Sequence, residues 1–355
     1  MPRKRFRLKI LVLFSLFFIS FTALSNSQTI NKTETRYYFI GKIDEKGTVQ
    51  AYIVFGEDNN ISGTYFSDTN GTSHDISGRI KTKEDSFNDF NIEIDAYVDK
   101  NKTGTFSGVI KSDGANLAET ITGKWQTPEG DRTYAFELNK IADFIHTKFT
   151  QGSTIELSSS YPFMYSIVNQ ANQINDLLRN EIEKKTDNFI KEAQNYFSRQ
   201  SSISGWSQEI KYSIEFYSKK LLSLTGETYT YTGGAHGNTF YISQNYSLTV
   251  ENIKLINLSD LFIADSNFIN ILSIYLIKEL KEQGASLIEN GEIIEFNEKD
   301  LHAFAISPRG LLFTFSPYSV ASYAEGPFFV TVPYSEIRQI INPDGPLKEF
   351  INHQP

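Results

Sequence analysis

The sequence predicts a β-rich α+β protein. An N-terminal antiparallel β-meander of about eight strands, barrel-like, is followed by an α+β domain with an antiparallel sheet and two main helices. Two observations carry this expectation. A short glycine motif recurs on a 15-residue spacing through the first part of the chain, and apolar residues after position 167 then switch to helical spacing. The divisions expected are a leader over 1–27, the meander over 28–140, and modules over 141–248 and 249–355 that pack together as one α+β domain.

The leader is read from residue order. Arg3, Lys4, Arg5, Arg7 and Lys9 form a basic run, residues 10–21 are apolar apart from Ser15 and Ser20, and Ala23, Ser25, Asn26 and Ser27 are small or polar. Basic, apolar, then small is the order of a secretory signal peptide. The apolar stretch falls short of the ~20 residues that cross a bilayer as a helix, so cleavage is expected to leave a first residue between Asn26 and Ile30. An uncleaved leader acting as an anchor is the alternative. The expected location is extracytoplasmic, periplasmic or secreted, with no stable membrane span after cleavage.

Composition narrows the chemistry. The chain has no cysteine, which excludes disulfides, thiolate metal sites and a cysteine nucleophile. At 355 residues it is long enough to rely on its core instead. Loss of the five leader cations takes the formal net charge from −8 to −13. So acidic a chain is a poor nucleic-acid binder and suits a cationic or neutral partner.

The meander is justified by its repeats. Ile61-Ser62-Gly63, Ile76-Ser77-Gly78, Phe106-Ser107-Gly108 and Ile121-Thr122-Gly123 share an apolar–hydroxyl–glycine pattern. Turn signals separate them, such as Asp58-Asn59-Asn60, Asn70-Gly71 and Ser112-Asp113-Gly114. A glycine recurring inside strands suits a sheet that must curl. The phrase from Ile61 to Tyr65 resembles avidin-type barrels. With Trp125 as the region's one tryptophan, the resemblance implies the barrel shape and not biotin binding.

From position 141 the pattern changes. Ile167, Ala171, Ile174, Leu178, Ile182, Phe189, Ala193 and Phe197 mark one helix face. Strands are expected at 210–217, 222–231, 240–248, 303–307, 311–316 and 328–332. A second helix is expected over 267–283, capped by Asp265 or Ser266 and stopped by Gly284. A short helix is expected at 335–341.

Several phrases stand in series: Tyr231-Thr232-Gly233-Gly234-Ala235-His236-Gly237, Leu258-Ser259-Asp260-Leu261-Phe262, Arg309-Gly310-Leu311-Leu312-Phe313, and Tyr318-Ser319-Val320-Ala321-Ser322-Tyr323-Ala324-Glu325-Gly326. This series resembles the extracytoplasmic region shared by RsiV-type anti-sigma factors and PdaC-type peptidoglycan deacetylases. The resemblance covers roughly the C-terminal 190 residues, about 154–342. RsiV-type proteins bind lysozyme through this region, so lysozyme or a similar muramidase is an implied partner. A sigma-binding segment is not expected in the nine residues ahead of Ile10. The metal-dependent deacetylase domain is not expected either, because His74, His146, His236, His302 and His353 offer no closely spaced pair.

No cofactor, metal or catalytic residue is therefore assigned. The candidate ligand-binding residues are Tyr231, Gly233, Gly234, His236, Tyr318, Tyr323, Glu325 and Gly326. His236 can serve as a base or ligand, or as a turn histidine whose ring hydrogen-bonds locally. Tyr318 and Tyr323 can form an aromatic binding loop, or one ring can fill the core while the other caps a strand. The functions left open are a non-catalytic binder of lysozyme acting as inhibitor or sensor, an envelope peptidoglycan or glycan binder, and an unrecognised cell-wall hydrolase.

Overall fold

The computed structural model describes residues 35–69, 71–81, 89–111, 119–165, 168, 170–199, 205–249 and 251–351. The expected leader and its cleavage point lie outside them. The first eight strands are β1 (Thr35–Ile43), β2 (Gly47–Phe55), β3 (Asn60–Ser67), β4 (Ser73–Lys81), β5 (Asp89–Val98), β6 (Asn101–Lys111), β7 (Thr120–Gln126) and β8 (Thr133–Gln151). Each pairs antiparallel with the next, and β1 pairs with β8 to close the barrel. The 15-residue motif falls on β3, β4, β6 and β7. Its apolar members Ile61, Ile76, Phe106 and Ile121 point into a shared core with Phe39, Ile53 and Phe136. Its glycines sit where neighbouring backbones nearly touch: a Cβ on Gly78 would lie 2.1 Å from the Glu93 carbonyl oxygen. The cavity left inside is about 20 Å³, among Ile53, Ile92, Ile94 and Leu138. That holds about one water. Among the described residues the barrel interior is a packed core.

Strand β8 is 19 residues long and serves two cores. Phe136 and Leu138 face the barrel interior, whereas Ala142 and Phe144 belong to the next cluster. The switch is made by a register shift opposite Tyr38 and Phe39, which pair with Ala142 and Lys140 and skip Ile141. An inserted residue reverses which face the following side chains take. The sequence changes character at this same position. Beyond it, β8 pairs with β9 (Ile155–Met164), and the chain crosses through α1 (Ala171–Phe197) to β10 (Trp206–Tyr217), which lies parallel to β9. A parallel pair requires such a crossover. Asn175 ties the helix down, accepting from Met164 N–H at 2.7 Å and donating to Met164 O at 2.9 Å. β11 (Leu221–Tyr231), β12 (Asn238–Leu248) and β13 (Ile253–Leu255) complete one continuous 13-stranded sheet.

The rest of the chain forms a second layer. Helices α2 (Phe268–Glu282) and α3 (Ser286–Glu289) precede a small antiparallel sheet of β14 (Phe304–Ser307), β15 (Gly310–Phe315) and β16 (Phe328–Val332), followed by α4 (Tyr334–Ile337) and α5 (Lys348–Ile351). Leu272, Leu276 and Leu280 of α2 pack on Leu311, Phe313 and Val330. Helix α2 ends at Gly284, whose φ of +81° suits glycine. Its N-cap is Asn267, in the left-handed region, one to two residues past the caps expected, and no side chain caps it by hydrogen bonding. Asn tolerates that backbone better than most residues, which is why the helix starts there.

The barrel meets strand β10 of the same large sheet at a buried glutamine. Gln50 is fully buried on β2. Its Oε1 accepts from Tyr38 Oη (2.7 Å) and Tyr217 N–H (2.9 Å), and its Nε2 donates to Tyr217 O (2.9 Å) and Asp68 Oδ1 (2.8 Å). The amide thus pairs with β10 as another strand would. Burial pushes the Asp68 carboxyl up to about 6, against the Gln50 hydrogen bond and with a further push from Glu349. A carboxyl whose folded value exceeds its unfolded one binds more protons in the native state. Its contribution to stability therefore falls as pH rises from about 4 to about 6. Asp68→Asn keeps the acceptor oxygen and removes the titration. The variant should match the parent near pH 4 and exceed it by about 1 kcal/mol at pH 7.5, because solvent reaching this half-buried carboxyl screens part of the effect. Urea melts across pH 4–8 check this, and parallel curves for the two proteins would refute it.

Candidate functional site

The hairpin between β11 and β12 turns through residues 232–237. Gly233 and Gly234 take φ of +99° and +92° with open space around them, so the turn needs their backbone freedom. The next glycine has a different reason. A Cβ on Gly237 would sit 2.4 Å from the Tyr229 ring, which lies across the turn. Tyr231 Oη donates to Gly234 O at 3.1 Å. The hairpin is thus clamped by the tyrosines that precede it.

The connection from β15 to β16 comes to the same place. Ser316 Oγ accepts from Tyr241 N–H at 3.0 Å, and the Tyr241 ring meets Phe329 edge-on at 5.8 Å. Tyr318 has φ of +71°, unusual for so bulky a residue, and is 56% exposed. Residues Tyr323–Glu325 make a 3-10 turn ending at Gly326, whose φ is +81°. The His236 ring stacks on Tyr323 at 3.7 Å and 15°, and Tyr323 lies 5.5 Å from Tyr318. Two loops separated by some 80 residues therefore build one aromatic ladder. Neither tyrosine is a core residue: Tyr318 is exposed and Tyr323 half-buried.

His236 makes a local hydrogen bond, from Nδ1 to Gly237 O at 2.8 Å. A carbonyl only accepts, so Nδ1 carries the hydrogen and Nε2 holds the lone pair of the neutral ring. Glu325 is exposed, and its carboxylate caps the turn. Its carboxylate accepts from Ser322 N–H (2.9 Å) and Oγ, and from Ser286 Oγ (2.9 Å) and N–H (3.2 Å). The Ser322 hydrogen bond, with that of Ser286, holds the carboxyl below its ordinary range. Burial, with the charge of Glu227 added, raises the Tyr241 phenol.

Seven of the eight residues proposed from sequence lie on these two loops, and the eighth, Tyr231, is the last residue of β11. Sequence reasoning does not reach Tyr241, Phe329, Ser316 or Ser286. The one readable signal is Tyr229, which alternates with Tyr231 and so shares its face of β11. Among the described residues no three His, Cys, Asp or Glu side chains are grouped to hold a metal ion. No described helix is long and apolar enough to cross a membrane.

Residues 150–239 match the family described as "Deacetylase PdaC", and residues 259–335 match "Protein of unknown function (DUF3298)". These matches support a PdaC-type accessory region in this chain. The peptidoglycan-N-acetylmuramic acid deacetylase PdaC of Bacillus subtilis (strain 168) is 23% identical over 200 residues, which are 56% of this chain and 41% of that protein. The chain thus spans less than half the length of this curated relative. Two solved structures of DUF3298 family proteins are also similar. One, from Pseudomonas aeruginosa PAO1, has a TM-score of 0.44 at 15% identity, over 57% of this chain and 94% of the other. The second, from Bacteroides fragilis NCTC 9343, has a TM-score of 0.36 at 15% identity, over 60% and 98%. The PdaC match ends inside the hairpin, and the DUF3298 match takes in the whole of the tyrosine loop. The His236–Tyr323 stack therefore joins the two matched regions.

Proposed function

We propose that this protein is an exported, non-catalytic binding protein of the cell envelope. Its aromatic tip recognises lysozyme or a similar cationic cell-wall muramidase, as an inhibitor or a sensor. The observation that carries the reading is the His236–Tyr323–Tyr318 ladder, built on connections between rigid strands. Stacked tyrosines give large contact area at low entropic cost, and scaffold loops are where recognition groups are usually presented. The acidic chain supports a cationic partner through faster association. The curated relative, by its name, acts on peptidoglycan, which supports a cell-envelope location. It also favours a second reading in which the same rings stack on cell-wall sugars.

Truncating a central anchor costs about 2 kcal/mol or more, roughly thirtyfold in affinity. Tyr323→Ala should therefore lose lysozyme binding by that factor, and Tyr318→Ala by a similar one, with unchanged far-UV circular dichroism. Pull-down on immobilised lysozyme, beside sedimentation with insoluble peptidoglycan at low and high salt, separates the readings. Salt-sensitive capture by lysozyme supports the first, and salt-resistant co-sedimentation supports the second. Folded variants that bind both probes like the parent would remove this surface from consideration.

A further inference from the structure

The tip has an unusual charge inventory. Its two segments, 221–253 and 310–337, contain no lysine or arginine. Their acidic residues are Glu227, Glu251, Glu325 and Glu336. His236 is the one side chain in either segment that can become a cation, and it sits in the middle of the aromatic ladder.

The local geometry allows that charge to appear without rearrangement. Nδ1 already donates to the Gly237 carbonyl, so a proton added at Nε2 breaks no hydrogen bond. The ring lies flat on Tyr323, whose π face tolerates an imidazole and favours an imidazolium. The titratable groups around it are few. Tyr323 is stacked on it and Tyr318 stands behind Tyr323. On its own hairpin, Tyr231 is bonded to Gly234, and Tyr229 lies against Gly237. The Glu325 carboxylate is held by Ser322 and Ser286. Glu227, on β11, faces Tyr241 of β12 on one side and Lys211 of β10 on the other, and Glu209, opposite Tyr229, is paired with Lys211 at 2.9 Å. Among the described residues no carboxylate pairs with the ring.

We propose that His236 is a charge switch for partner recognition: with the ring neutral the tip accepts a cationic protein, and with the ring protonated it repels one. This rests on the cationic-partner reading above. Histidine changes charge between pH 5 and 8, the range in which capture and release of a partner can be exchanged. One unit charge brought within a few ångströms of another at a protein surface is enough to change affinity about tenfold.

The experiment is binding of egg-white lysozyme to the whole protein from pH 8.0 to 5.0 at constant ionic strength, for the parent, His236→Gln and His236→Lys. The expected result is parental affinity about tenfold weaker at pH 5.5 than at pH 7.5. His236→Gln should bind about equally at both, and His236→Lys should be weak throughout. Parental binding that does not change with pH, or a His236→Gln variant with the parent's pH dependence, overturns the switch and leaves the binding surface standing. If no protein in the set binds at any pH, the lysozyme reading fails and the switch with it. Nitrogen NMR of the imidazole gives a readout independent of partner: a neutral ring protonated at Nε2 rather than Nδ1 would also overturn the proposal.

Discussion

Gly123→Val should collapse the barrel. Gly123 on β7 stands directly opposite Gly108 on β6. A Cβ on Gly123 would lie 2.2 Å from Ser107 O, 2.5 Å from Gly108 Cα and 3.0 Å from the Phe136 ring. Two of those atoms are backbone, so no rotamer change relieves the overlap. The strands must separate, and Ile121 and Trp125, which fill the core on either side of Gly123, must leave their places. Overpacking a tight core costs about 1–3 kcal/mol when side chains can adjust, and more when backbone has to move. A loss of at least about 3 kcal/mol is expected, measured by urea denaturation against Lys124→Val. Lys124 is exposed on the same strand, so its substitution should stay within about 0.5 kcal/mol of the parent. Equal midpoints for the two variants would mean that the strands do not approach as described.

Asn245→Leu should release the small sheet from the large one. Asn245 and Ser223 are 1% and 0% exposed, side by side on β12 and β11. Ser223 Oγ donates to Asn245 Oδ1 at 2.7 Å and accepts from Ile306 N–H at 2.8 Å, and Asn245 Nδ2 donates to Phe304 O at 2.8 Å. This chain of hydrogen bonds satisfies the edge of β14, which lies against the large sheet. Leucine matches the volume but leaves the buried Phe304 carbonyl without its donor and the Ser223 hydroxyl hydrogen without its acceptor, while Ser223 Oγ still accepts from Ile306 N–H. Each such group costs about 1–3 kcal/mol, so a loss of about 2–4 kcal/mol is expected in urea. The small sheet also carries the loop of Tyr323, so lysozyme capture should fall together with stability. A variant that loses stability yet binds like the parent would show that the two sheets need not be held in register for recognition.

Much of the architecture was legible because it rests on local repetition. The apolar–hydroxyl–glycine motif states strand period and curvature in a few residues, and each copy places an isoleucine or phenylalanine inward with a glycine at the close crossing. Helices α1 and α2 were legible because their apolar residues keep one face over several turns. Strand β9 was not. Its Ile155, Leu157 and Tyr161 do alternate inward, but Ser158, Ser159 and Ser160 interrupt the apolar signal. Ser159 is nevertheless buried, because its hydroxyl pairs with Thr147 at 2.7 Å.

The sequence by itself determined the two kinds of folding unit, the residues at their turns and the chemical character of the tip, since all follow from neighbours a few positions apart. Tertiary structure alone decided that β8 continues from barrel to sheet, because a single skipped residue opposite Tyr38 has no signature in composition. It alone decided that Gln50 pairs with Tyr217, and that His236 lies on Tyr323. Those contacts join residues 167 and 87 positions apart. Nothing in either local segment encodes the other: the path of the large sheet brings Gln50 to Tyr217, and the packing of the small sheet against the large one brings Tyr323 to His236.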